Sequence, residues 1–159
     1  TMGFGFPAAI GAQFAFPKKK VWAIVGDGGF QVTMGELATA QLHRLPVKVL
    51  VVNNNYLRMI PQWQEMFYDN RLSGADLEGN PDFVKLTQAY GAKGLRIRRP
   101  ADVDRILKEA QNWDQGPCVV VAEVVKEDNV FPMIPAGAAV SEMLFEKPKR
   151  RLEKPTGST

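Results

Sequence analysis

Apolar residues along the chain fall into two alternating patterns. Val21 to Val25, Val47 to Val52 and Cys118 to Val125 are short runs rich in β-branched residues, bounded by Gly, Pro or Asn. Uninterrupted apolar runs of that length are what strands covered on both faces require. Leu95 to Ile97 is a shorter fourth run. Between the runs the spacing becomes helical. Pro7 to Phe16 is rich in Ala and carries Pro in its first turn, where a missing N–H is harmless. Thr33-Met34-Gly35-Glu36 has the spacing of a capping box, and Leu37, Ala38, Gln41 and Leu45 continue one face. Phe83, Leu86 and Tyr90 follow Asn80-Pro81, which reads as a cap and a first helical position. Val103, Ile106, Leu107 and Ala110 repeat at i, i+3, i+4 and i+7 after Pro100, the strongest amphipathic pattern of the chain.

Strands alternating with helices predict right-handed crossovers and hence an α/β fold: three layers, a mainly parallel sheet with helices on both faces. One domain is expected over residues 1–145, with residues 146–159 as a basic, flexible tail. Two stretches exceed what a minimal α/β unit needs. Residues 53–80 follow a strand directly, and residues 126–145 run past the last one. Connections of that length are usually functional or disordered, so both are candidates for covering a site.

Composition narrows the function classes. The chain has 159 residues, 45% hydrophobic and 23% charged, with a formal charge of +3. The excess charge sits in the tail, where Lys147, Lys149, Arg150, Arg151 and Lys154 face only Glu146 and Glu153. The rest of the chain is neutral, which argues against a nucleic-acid-binding face. No apolar run approaches the ~18 residues of a membrane span. The single cysteine, Cys118, lies in an apolar run and reads as a buried thiol in a reducing, cytoplasmic setting. No signal peptide is visible, and the opening Thr-Met-Gly-Phe-Gly reads as the middle of a longer protein.

Ligands of open parallel sheets bind beyond the carboxyl ends of the strands. Two such ends are informative here: Gly26-Asp27-Gly28-Gly29 and Asn53-Asn54-Asn55. Asp27 and Asn54 are one crossover apart, so the fold brings them side by side. A carboxylate, an amide oxygen and a backbone carbonyl form a hard oxygen set suited to Mg²⁺, which prefers few protein ligands plus phosphate oxygens. Gly28 and Gly29 allow backbone N–H groups close to a phosphate. Either motif alone reads as an ordinary turn; their spacing is what points to a diphosphate bridged by a divalent metal. No G-x-G-x-x-G follows a strand, no Gly-Lys-Ser/Thr is present, and one Cys with one His argues against a zinc centre.

Gly26-Asp27-Gly28 followed by Asn53-Asn54 resembles the signature of thiamine-diphosphate enzymes. Thr1 to Ala12, Glu36-Leu37-Ala38-Thr39, Leu45-Pro46-Val47-Lys48-Val49, Met59-Ile60-Pro61-Gln62-Trp63-Gln64 and Phe131-Pro132-Met133-Ile134-Pro135 are similar, in order, to segments of acetolactate (acetohydroxyacid) synthase catalytic subunits. The resemblance implies the thiamine-diphosphate-binding fold and a reaction that decarboxylates pyruvate and joins the two-carbon unit to a second 2-oxo acid, in branched-chain amino-acid synthesis. It implies Asp27, Asn54 and the backbone carbonyl of Tyr56 as Mg²⁺ ligands, and Gly28 and Gly29 at the diphosphate. Met2 matches the apolar residue that bends the cofactor. Met59 and Trp63 match residues of the substrate channel, and Met59 also borders the cofactor. Arg58 replaces the family's usual glycine.

The family's activating glutamate belongs to an N-terminal domain and its FAD mostly to a middle domain, so no catalytic residue is expected within this chain. Those domains, a homodimer or tetramer, and a regulatory subunit are the implied partners. Another thiamine-diphosphate enzyme (a glyoxylate carboligase, an oxidase or a decarboxylase) is the nearest alternative. A non-catalytic association module is the alternative of a different class.

Overall fold

The computed structural model describes residues 1–126 and 129–147. The described residues divide into two compact units: Thr1–Tyr56 with Leu77–Val125, and Leu57–Asp76 with the described residues from Lys126 onward. The expectation of a flexible basic tail falls almost wholly on residues 148–159, outside the described residues.

The first unit holds α1 (Gly5–Ala15), β1 (Trp22–Gly26), α2 (Asp27–Thr33), α3 (Leu37–Leu42), β2 (Lys48–Asn53), α5 (Phe83–Ala89), β3 (Lys93–Ile97), α6 (Val103–Asn112) and β4 (Cys118–Glu123); α4 (Met59–Phe67) belongs to the second. The four strands are all parallel, in the order β1-β2-β4-β3, as the α/β pattern requires. Side chains alternate along each strand. Ala23, Val49, Val51, Val119 and Val121 face a layer built from α1, α2, α3 and α5, where Phe30 packs 5.5 Å from both Phe6 and Phe83. Val120 and Cys118 face the other way, onto Ile106 and Ala110 of α6. Leu50 and Trp22 extend that second face, and Trp22 Nε1 donates to Gln111 Oε1 at 2.7 Å.

The end of the sheet where the strands begin is closed by a buried lysine. Lys48 is 0% exposed and donates to the carbonyls of Pro46 and Trp113. Burial, with Lys20 nearby, lowers its pKa. Cys118, on the neighbouring strand, is equally buried.

Four local expectations are corrected. The stretch after β1 is already helical at Asp27, and a short 3₁₀ turn, Met34–Glu36, separates α2 from α3. Thr33 and Glu36 form no capping box: Thr33 Oγ1 donates to the Gly3 carbonyl, and Glu36 accepts from Thr39. The helix also stops before Leu45, with Arg44 in the left-handed region at φ 48°. The cap of α5 is Asp82, not Asn80; its carboxylate accepts from the N–H groups of Val84 and Lys85.

The second unit brings the two long connections together. Gln62 on α4 is 1% exposed, and its amide binds Val130 twice, giving Nε2–H to the carbonyl and taking N–H at Oε1, both at 2.9 Å. A side-chain amide used in this way stands in for a strand partner. Met133 and Leu144 form an antiparallel bridge beyond it. Arg58 binds Glu65 and Asn129 inside this unit. Among the described residues, no helix is long and apolar enough to cross a membrane.

Candidate functional site

β1 and β2 are paired so that Gly26 lies opposite Val52. The register carries the residue after each strand to one edge of the sheet. Asp27 opens α2 there and is 2% exposed. Its Oδ1 accepts from the Gly28 N–H at 2.9 Å, and its Oδ2 from Asn80 Nδ2 at 3.1 Å. The Asn55 N–H also acts on the carboxylate, holding its pKa down, so the turn after β2 lies near the end of β1. Burial raises the Asp27 pKa from its ordinary value, and these hydrogen bonds only partly oppose it. Among the described residues, no Lys or Arg acts on it.

The turn after β2 is an Asx turn. Asn54 Oδ1 accepts from the Tyr56 N–H at 3.1 Å, with Asn55 in the left-handed region at φ 56°. Asn tolerates that conformation better than most residues, which is one physical reason for an asparagine run at this place. Asn54 and Tyr56 thus share one tight turn next to Asp27. Three further amide oxygens of this unit, on Gln13 in α1, Asn53 and Asn80, are buried without a hydrogen-bond partner among the described residues.

Met2 approaches the same region from the start of the chain. Gly3 has φ +88°, and a Cβ there would meet Val32 Cγ1 at 2.8 Å, so only glycine fits. A Cβ on Gly29 would lie 3.9 Å from the Gly3 nitrogen, which places Gly29 against the segment carrying Met2. Met2 itself is largely exposed.

Met59 and Trp63 lie on α4 of the second unit. With Ile60, Gln64, Tyr68 and Arg71 they line an apolar cleft of about 600 Å³. Trp63 packs on Phe67 with ring centroids 5.4 Å apart and remains partly exposed, so it lines the cleft instead of filling a core.

The first unit's donor set is chemically specific. One buried carboxylate with no counter-charge among the described residues, the orphaned Asn80 oxygen on the amide that binds it, and an amide oxygen in the neighbouring rigid turn form a hard, acceptor-rich locus. Among the described residues no three His, Cys, Asp or Glu side chains gather to hold a metal. A dication here would therefore need oxygens from water and from a ligand, which is how Mg²⁺ binds phosphates. The residues fit a Mg²⁺–diphosphate. Asn80 is the member that sequence reasoning missed; its place before Pro81 made it read as a helix cap.

Comparisons with known proteins follow the same line. Residues 1–122 match the family model of the thiamine pyrophosphate enzyme C-terminal TPP binding domain. An acetolactate synthase of Mycobacterium bovis is 45% identical over 147 residues, covering 90% of this chain and 24% of that protein. The large subunit of Escherichia coli acetolactate synthase isozyme 2 is 42% identical over 144 residues, covering 91% and 26%. Among solved structures, a thiamine diphosphate-dependent 4-hydroxybenzoylformate decarboxylase of Rhodococcus jostii superposes with a TM-score of 0.73 at 28% identity, over 80% of this chain and 24% of its own. The chain thus spans about a quarter of the length of these relatives.

Proposed function

The chain belongs to the family of C-terminal TPP-binding domains of thiamine pyrophosphate enzymes, and from that premise we propose that it is the diphosphate-binding part of an acetolactate synthase large subunit. The parent reaction decarboxylates pyruvate and joins the two-carbon unit to a second 2-oxo acid, in branched-chain amino-acid synthesis. When bound, thiamine diphosphate supplies the carbanion-stabilising chemistry.

This chain's own residues anchor, orient and select. Asp27, Asn54 and the backbone carbonyl of Tyr56 would hold Mg²⁺, which would supply positive charge for the diphosphate. Gly28 serves the site through Asp27, to which it gives its N–H, while Gly29 leaves room beside the Met2 segment. Met2 would pack against the cofactor, and Met59 and Trp63 would border the path of the second substrate. Acid–base activation of the cofactor falls to a carboxylate outside this chain, and FAD is held mostly outside it. The subunit works as a homodimer or tetramer in the cytoplasm, with a regulatory subunit.

The observation that carries this reading is Asp27: a buried carboxylate, hydrogen-bonded at both oxygens, with no cationic side chain among the described residues acting on it. Leaving such a charge unpaired is costly, and a bound dication removes the cost. Two measurements on the intact subunit test it. Calorimetric titration should show thiamine diphosphate binding that depends on Mg²⁺; equal binding in its absence overturns the metal assignment. Product analysis with pyruvate should give acetolactate; acetaldehyde or acetate would move the chain to a decarboxylase or an oxidase.

A further inference from the structure

The turn that carries Asn80 is fixed from both sides within the first unit. The Leu77 N–H donates to the Asn55 carbonyl at 2.9 Å, and the Asn80 N–H to the Leu77 carbonyl at 2.8 Å. After Pro81, Asp82 caps α5 and pairs with Arg96, which also pairs with Glu123 at the end of β4. This frame presents the Asn80 amide to Asp27. Because a carboxylate can only accept, the Nδ2 end must face it, and Oδ1 is left buried without a donor among the described residues. An orphaned acceptor of that kind costs about 1–3 kcal/mol unless something supplies a hydrogen.

With the Gly28 N–H on Oδ1 and Asn80 on Oδ2, each oxygen of the carboxylate has its own donor and the group is held in one plane. A bound magnesium ion usually keeps several waters, each with hydrogens to give. We propose that Asn80 is a positioning residue of the metal site: its NH₂ group orients the Asp27 carboxylate toward the cation, and its buried carbonyl oxygen accepts a hydrogen bond from a water on that cation. The inference rests on the Mg²⁺ reading of Asp27 and Asn54. It assigns to Asn80 a share of metal affinity while leaving it out of the coordination shell.

The test measures Mn²⁺ binding by electron paramagnetic resonance, with thiamine diphosphate present, in the intact subunit and in its Asn80→Ala and Asn80→Leu variants. Loss of a residue that orients a metal ligand typically lowers metal affinity about 10–100-fold. That loss is expected in both variants, with apo unfolding temperatures close to the parent's, and saturating metal should restore cofactor binding. Restoration should fail in Asp27→Ala, which separates orientation from ligation. Parent-like Mn²⁺ affinity in either folded Asn80 variant overturns the proposal. Unfolding of both variants also overturns it, because Asn80 would then belong to the fold. A parent subunit that binds cofactor without metal would instead sink the underlying reading.

Discussion

Thr33 Oγ1 donates to the carbonyl oxygen of Gly3 at 3.1 Å, and so ties the end of α2 to the segment that carries Met2. The bond spans 30 residues and joins both sides of the candidate cofactor site. Thr33→Val keeps the shape and removes the donor. One hydrogen bond of this kind is worth about 1 kcal/mol. Cofactor affinity should therefore fall by roughly fivefold, with the Mg²⁺ requirement unchanged. Calorimetry at saturating Mg²⁺ reads this; an unchanged affinity would separate Met2 from the cofactor.

Asp27 sets function against stability. Its pKa is raised by burial above the ordinary 3.8, so the metal-free fold is strained by the charge at neutral pH. Asp27→Asn should raise the unfolding temperature of the metal-free protein and abolish Mg²⁺-dependent cofactor binding. In that variant Asn80 can turn its amide and accept from the new side chain, which pairs its orphaned oxygen. Equal or lower apo stability, measured calorimetrically, would show that the charge is accommodated without cost.

Trp63→Leu should leave folding nearly intact, since the ring lines a cleft on α4. Reshaping an apolar substrate wall typically changes discrimination by ~10-fold or more. The ratio of products from competing 2-oxo acids should shift accordingly. Unfolding of the variant would assign Trp63 to the core of its unit.

Asp82 gives the clearest pH dependence. Burial pushes its pKa up, but the N–H groups of Lys85 and Val84 and the Arg96 guanidinium outweigh this and hold it below 3.8. A carboxyl depressed by folding stabilises above its unfolded pKa, and that contribution is lost as pH falls through the folded value. Loss of such a cap costs about 1 kcal/mol. Asp82→Ala should show that loss near neutrality and a shallower decline in acid. Asp82→Asn, which can still cap, should recover most of the stability without the acid sensitivity. Thermal unfolding across the acid range checks both.

The 159-residue chain alone should make no acetolactate with thiamine diphosphate and Mg²⁺ supplied. Positioned acid–base help is worth roughly 10²–10⁴-fold, and no carboxylate of this chain is assigned to it. A sensitive product assay, with and without an added fragment bearing the activating glutamate, decides the matter. Robust turnover by the chain alone would overturn the division of roles.

The sheet was legible because valine runs in a doubly covered strand look like little else, and all four candidate strands form, within a residue or two at the ends. The parallel arrangement followed from the alternation of elements. Local caps were harder. Thr33-x-x-Glu36 satisfies a capping rule, yet a tertiary acceptor, the Gly3 carbonyl, takes the Thr33 hydroxyl. Asn80 and Asp82 both precede a helical pattern, and only the position of Asp27 in space decides which one caps. Helix α4 went unread because Pro61 and a mixed face hide its period. Gln62 could not be read at all, since its partner Val130 is 68 residues away.

The buried thiol has a consequence for anyone handling this protein. Cys118 is the only cysteine, sits on β4 between β2 and β3, and burial pushes its pKa to about 11. Alkylating reagents attack the thiolate, so at neutral pH the native surface offers them nothing. Labelling can proceed only when the centre of the sheet opens. The rate of thiol modification is thus a built-in clock for global opening, and it needs no engineered probe.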